Sequence, residues 1–223
     1  EKKGLFPNTK WKKNNLGKGW VLGETLITGI GQGYTQTTPL QLCMMTAQIA
    51  NGGFAVKPKI IVDSNPISYE DAKQSMESGL LFDTDSEELL DKKLFKNQKN
   101  IKIVQEAMFA STNERFGTSY KSRIDDPKYQ FAGKTGTAQV KRISKREREL
   151  DLELEQIPYK DRDHALYVAY GPYVNPRYAL SIIVEHGGSG SKAAAPIAKK
   201  LFKLIIDRHD LRNKQSNFER ITV

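Results

Sequence analysis

The sequence predicts an α+β domain in which helices pack on an antiparallel sheet. Three observations predict it: a capped apolar helix that begins at Thr38, three strand patterns gathered between residues 129 and 185, and a striped helix that follows residue 193. With 223 residues, the chain is long enough for one hydrophobic core, and its 27% charged residues imply polar insertions on that core.

Taken in order, residues 1–30 are basic and rich in Gly and Asn, with Trp11 and Trp20 among lysines and no sustained period. They are expected to form irregular structure over a surface. Basic residues interleaved with aromatics also suit single-stranded nucleic acid or glycan, but no nucleic-acid partner is expected here. In Thr38-Pro39-Leu40-Gln41, Thr38 is placed as N-cap, Pro39 at the first helical position and Gln41 at the reciprocal capping-box position. The helix should run to Ala50 and end at Asn51-Gly52-Gly53 on a residue of positive φ. Its residues Leu40, Leu42, Cys43, Met44, Met45, Ala47 and Ile49 are apolar nearly all round, the pattern of a helix buried on most sides. Cys43 reads as a small buried hydrophobe.

Residues 63–100 are polar with mixed charges and read as a surface insertion, with one short helix near Glu87 to Phe95. Ile101, Val104, Ala107 and Met108 recur at helical spacing, predicting an amphipathic helix that frays around Ser111 to Asn113 and ends before Gly117. The strand patterns are Tyr129 to Val140, Ala165 to Tyr170 and Tyr178 to Glu185. The short turn Gly171 to Pro176 makes the last two antiparallel neighbours. Lys141 to Asp163 is densely charged, a solvated loop or a flap over a site. Ala193 to Asp207 carries Ala194, Ala198, Leu201 and Ile205 on one stripe and predicts a helix packed on the sheet. Residues 211–223 form a polar tail.

Thirty-five Lys and Arg against 26 Asp and Glu give a net charge of +9, which favours anionic partners without naming one. The single cysteine excludes an intrachain disulfide. No apolar run approaches the ~20 residues that span a bilayer, and Glu1-Lys2-Lys3-Gly4 lacks a signal-peptide core, so the chain reads as a soluble piece of a longer polypeptide.

The strongest chemical signal is Gly133-Lys134-Thr135-Gly136-Thr137-Ala138 inside a strand pattern that a glycine would otherwise weaken. Strand alternation puts Thr135 and Thr137 on one side and Lys134 on the other. Two hydroxyls can then bind one carboxylate while an ammonium faces a neighbouring catalytic group, and backbone donors at a sheet edge can hold an extended peptide and polarise an acyl carbonyl. Gly136 suggests a close approach to the backbone. A Walker A phosphate loop is excluded, because the glycine it requires five positions before Gly133 is Lys128.

The Lys-Thr-Gly triplet resembles the third element of the penicillin-binding protein and serine β-lactamase set. Gly29-Ile30-Gly31-Gln32-Gly33-Tyr34, then Thr38 to Gln41, Asn51-Gly52-Gly53, Gly117-Thr118, Ala132 to Gln139 and Glu185-His186-Gly187-Gly188 follow in an order similar to that of class B penicillin-binding proteins. The Gly-Ile-Gly-Gln-Gly wording resembles the elongation branch, the penicillin-binding protein 2 type. This resemblance implies an antiparallel sheet sandwiched by helices, of which residues 1–210 would be the C-terminal part of a transpeptidase domain.

By the same resemblance, Lys134 contacts a serine of the second motif and helps proton transfer. Thr135, Gly136 and Thr137 line the substrate site, the two threonines bind the carboxylate of the substrate or penicillin, and the Thr137 backbone N–H is half of an oxyanion hole. No metal or organic cofactor is implied; His164, His186 and His209 look too scattered to form a site. The implied partners are peptidoglycan stem peptides, β-lactam antibiotics and membrane proteins of an elongation complex, including a glycosyltransferase. The implied place is the periplasmic face of a bacterial inner membrane, with an anchor upstream.

One departure stands out: nothing before Gly133 reads Ser-x-x-Lys, the nucleophile motif of that family. Ser189-Gly190-Ser191-Lys192 matches the formula but lies after the Lys-Thr-Gly strand, where Ser191 reads as an N-cap. Ser111-Thr112-Asn113 matches the second motif but reads as a helix end. The chain is therefore expected to be inactive alone. The alternatives are a non-catalytic scaffold relative and, more remotely, a β-lactamase or β-lactam sensor.

Overall fold

The computed structural model describes residues 2–56, 58, 93–141 and 152–221, with the backbone alone for 213–221. Most of the 63–100 insertion and of the 141–163 loop lies outside the described residues.

Residues 1–30, expected to be irregular, instead hold two short helices, α1 (Thr9–Leu16) and α2 (Leu22–Gly29). Local caps define both, and α1 has little apolar period. Asn8 Oδ1 accepts from the Trp11 N–H at 2.8 Å, and Gly17, at φ 65°, closes α1 by donating to Lys13 O. Glu24 Oε2 accepts from Val21 N at 2.9 Å and from Lys12 Nζ at 2.7 Å, which joins the two helices. Leu5 pairs with Gln36, laying the N-terminal segment beside the start of the next helix.

That helix, α3 (Pro39–Ala50), carries the expected reciprocal cap: Thr38 Oγ1 accepts from Gln41 N at 3.2 Å and Gln41 Oε1 from Thr38 N at 3.0 Å. Gly52 and Gly53 follow with φ of 87° and 94°. The expected burial is not seen. Thr46 is the one fully buried residue of α3, and Leu40 and Met45 are exposed. The helix packs on two strands and the next helix, and most of its residues are half-buried. Cys43 is half-buried, its Sγ 3.5 Å from Ala179 O, and burial pushes the thiol pKa up.

The expected short helix near residues 87–95 lies partly outside the described residues; within them, Lys93 pairs in extended form with Phe54. Helix α4 (Gln98–Asn113) begins at an Asn97 cap, and Gln105 Nε2 donates to Ile49 O at 2.7 Å, tying α4 to the end of α3. Its last turn does not fray. Thr112 Oγ1 meets Tyr167 Oη at 2.9 Å, and Asn113 Nδ2 donates to Phe131 O at 2.9 Å.

The three strand patterns become β1 (Ala132–Ala138), β2 (His164–Gly171) and β3 (Tyr178–Val184), antiparallel in the order β1-β2-β3. In the register Lys134 faces Val168, Thr135 faces Tyr167 and Thr137 faces Ala165. One face of the sheet packs Phe131, Ala165, Tyr167 and Ala169 against Ala194, Ala198, Phe202 and Ile206. Phe131 and Phe202 stack with centroids 4.8 Å apart. Full burial of a side chain such as Phe202 stabilises the fold by about 1.5–3 kcal/mol. The other face gathers Ala132, Tyr170 and Met108 with Ile49, Phe109 and Val168. Helices thus cover the antiparallel sheet on both faces, as the fold class requires.

The terminal helix α5 (Ala195–Ile221) follows a π turn over Gly190–Ala194. It extends well past the expected end at Asp207, because Pro196 is its last proline and no glycine occurs after Gly190. The polar residues from 211 therefore continue the helix as backbone. Lys128 clamps this helix to the approach of β1, with Nζ 3.0 Å from Asp207 Oδ1 and 2.9 Å from Asp210 Oδ2.

Candidate active site

Lys134, Thr135, Gly136 and Thr137 lie together on β1, an edge of the described sheet. Which backbone groups face the open edge follows from two bonds at the start of the strand. Gln130 O accepts from Tyr173 N at 2.7 Å on the β2 side, whereas Phe131 O accepts from Asn113 on the other side. In an antiparallel pair the N–H and C=O of one residue point the same way and alternate along the strand. The backbone groups of Thr135 and Thr137 therefore face the edge that no described strand pairs with. Lys134 is exposed, and its Nζ folds back to donate to Thr135 O at 2.7 Å, on that same edge.

The two hydroxyls differ. Thr137 is exposed, while Thr135 is half-buried and its Oγ1 lies 3.3 Å from Thr118 Oγ1. Thr118 Oγ1 is in turn 3.2 Å from Ser111 Oγ, so a line of three hydroxyls runs from the end of α4 to β1. Beneath it, Tyr167 Oη is fully buried between Thr112 Oγ1 and Ser119 Oγ, at 2.9 and 3.0 Å. Burial raises the Tyr167 pKa against those two hydrogen bonds, so its proton stays in the network.

Gly136 was expected to admit a close approach, and one exists. A β-carbon on Gly136 itself would meet only Leu166 Cβ, at 3.3 Å. The tight contact comes from Gly190, where a β-carbon would lie 2.4 Å from Leu166 O and 2.8 Å from Gly136 O.

Residues 2–203 match the family described as the penicillin binding protein transpeptidase domain. The chain belongs to this family. Among transpeptidase relatives, the peptidoglycan D,D-transpeptidase MrdA of Salmonella typhimurium is 32% identical over 208 residues, covering 92% of this chain and 30% of the relative. The namesake from Escherichia coli K12 is 29% identical over 219 residues. Among solved penicillin-binding proteins, PBP2 of Pseudomonas aeruginosa superposes with a TM-score of 0.67 at 33% identity, covering 92% of this chain and 38% of that one. PBP2 of Helicobacter pylori, solved with MreC, gives 0.64 at 32% identity, covering 90% and 31%. The chain thus spans about a third of the length of the transpeptidases it matches.

Two other expectations about site residues change with the geometry. The cap before the π turn is Ser189, whose carbonyl accepts from Ala193 N at 2.9 Å, so Ser191 lies inside the turn and bonds Ser189 Oγ at 2.9 Å. The histidines are less scattered than their spacing suggests: the His164 and His186 rings lie 4.8 Å apart, and His186 N donates to His164 Nδ1 at 2.9 Å. No described group of three or more His, Cys, Asp and Glu gathers around them. Ser111-Thr112-Asn113 is a helix end, as expected, yet Ser111 also opens the hydroxyl line. Sequence reasoning missed that line, because Gly117-Thr118 carried no chemistry of its own there.

Proposed function

We propose that this chain is one wall of the active cleft of a peptidoglycan D,D-transpeptidase of cell elongation. The observation that carries the reading is the arrangement on β1, where the Thr135 and Thr137 hydroxyls share one side of the strand and their backbone groups face an open edge. The names of the MrdA relatives support the reaction class.

In this reading the serine nucleophile comes from outside these 223 residues. Its Oγ attacks the carbonyl of the D-Ala-D-Ala bond, the terminal D-Ala leaves with a proton, and an acyl-enzyme forms. The amine of a neighbouring stem peptide then displaces the serine. Lys134 swings from Thr135 O to a serine of the second motif and assists the proton transfers. Thr135 and Thr137 hold the substrate carboxylate, and the Thr137 N–H supplies half of the oxyanion hole. β-Lactams acylate the same serine, and residues 1–210 act as the C-terminal portion of the domain. The isolated chain is inactive.

In this reading the whole protein works at the periplasmic face of a bacterial inner membrane. None of the described helices is long and apolar enough to cross a membrane; an anchor upstream of these residues is part of the proposal. The Helicobacter pylori complex with MreC supports an elongation-complex partner, and a glycosyltransferase is proposed beside it. The deciding experiment is to incubate the full-length polypeptide with a penicillin, digest it and locate the adduct by mass spectrometry. An adduct on a serine outside these 223 residues is expected. No adduct would instead favour a non-catalytic scaffold relative, and one confined to Ser189 or Ser191 would put the nucleophile after the Lys-Thr-Gly strand and overturn the motif order.

A further inference from the structure

We infer that Thr118 is a positioning residue: its hydroxyl orients that of Thr135 toward the substrate carboxylate. This rests on the reading of Thr135 as a carboxylate ligand.

A threonine hydroxyl next to a carboxylate must donate its one proton to it, and it does so best when another donor fills its lone pair on the far side. Thr118 Oγ1 sits 3.3 Å from Thr135 Oγ1, and Ser111 Oγ sits 3.2 Å behind Thr118. With Ser111 donating to Thr118 and Thr118 to Thr135, the last proton of the line is left for the ligand. Every hydroxyl then points the same way.

The loop that carries Thr118 is built to hold this spacing. Gly117 turns so tightly over the end of α4 that a β-carbon there would lie 2.3 Å from Ser111 O and 2.5 Å from Ala110 O. On the other side of Thr118, Ser119 N and Ser119 Oγ both donate to Ser111 O, each at 3.0 Å. Ser119 Oγ is anchored again by the buried Tyr167 hydroxyl. Thr118 is thus clamped by both neighbours while its own side chain stays exposed beside Thr135.

The test uses the full-length polypeptide and two probes, a penicillin with a free carboxylate and its neutral methyl ester, followed by acylation kinetics. Thr118→Val keeps the shape and removes the proton. It should raise the apparent dissociation constant for the free acid by up to about tenfold, the size expected of one neutral hydrogen bond. The rate at saturation and the behaviour of the ester should stay the same. Thr118→Ser should restore wild-type binding. An equal effect on acid and ester, or none on either while Thr135→Val discriminates between them, overturns the inference. If Thr135→Val also treats the two probes alike, the underlying assignment of Thr135 fails and takes this inference with it.

Discussion

Gly133 and Tyr167 occupy adjoining space so closely that a β-carbon on Gly133 would lie 2.3 Å from the Tyr167 hydroxyl oxygen and 2.5 Å from Cζ. The first residue of the Gly-Lys-Thr-Gly sequence is therefore fixed by packing, one step from the candidate site residues. Gly133→Ala is expected to destabilise the full-length protein by about 1–3 kcal/mol, the range for overpacking a tight core. Because a ring carbon is almost as close as the oxygen, the loss should persist in a Tyr167→Phe background. Thermal unfolding of the single and double variants checks both statements.

Tyr167→Phe alone should cost only about 1 kcal/mol. Thr112 keeps its bond to Met108 O and Ser119 its bond to Ser111 O, so neither hydroxyl is left without a partner. A denaturant titration that gives several kcal/mol would mean that the three-hydroxyl cluster is strongly cooperative.

Lys134→Ala should lower penicillin acylation by a factor of about 10²–10⁴, the usual weight of a positioned proton-transfer group. Its melting temperature should not change, because Lys134 is exposed and bonds only a carbonyl of its own strand. Fluorescent-penicillin labelling alongside thermal unfolding separates the two quantities; equal losses in both would indicate a structural role for the lysine.

The clamp on α5 gives an acid response. The Tyr129 hydroxyl and Lys128 lower the Asp207 pKa, and Lys128 lowers that of Asp210. Since both folded-state values lie below the ordinary carboxylate value, the stabilisation is present above that value and is lost as pH falls through the depressed ones. Exposure keeps the effect small. Melting temperature measured between pH 2 and 6, a range chosen to bracket roughly the usual carboxylate titration, should fall more steeply toward acid than in Lys128→Met, where of these two groups only the Tyr129 hydroxyl remains, bonded to Asp207.

The sequence read best where the information was local. Thr38-Pro39-Leu40-Gln41 foretold its cap because every partner lies within one turn, and β1 to β3 were legible from alternation and a short connection. The helices in residues 9–29 escaped because their signal lies in the caps, Asn8 and Glu24, and α1 offers little apolar period. Burial on α3 was overestimated because an apolar composition states what a surface prefers to meet, and Leu40 and Met45 stay exposed among the described residues. The Thr135, Gly136 and Thr137 cluster was legible as a motif. Thr118 was not, since its meaning depends on a contact 17 residues away, made by a loop that folds back over α4.

Gly190 has a mechanical reading. With no side chain, it lets the turn ahead of α5 rest directly on the carbonyls of Gly136 and Leu166, so that turn acts as a shim beneath the strand. The thickness of that shim is one hydrogen atom. A β-carbon there would fall 2.4 Å from Leu166 O and 2.8 Å from Gly136 O, so any larger residue would force the turn and the β1–β2 pair apart. A segment remote from the Lys-Thr-Gly strand in sequence thereby sets how closely the turn and the strand can lie.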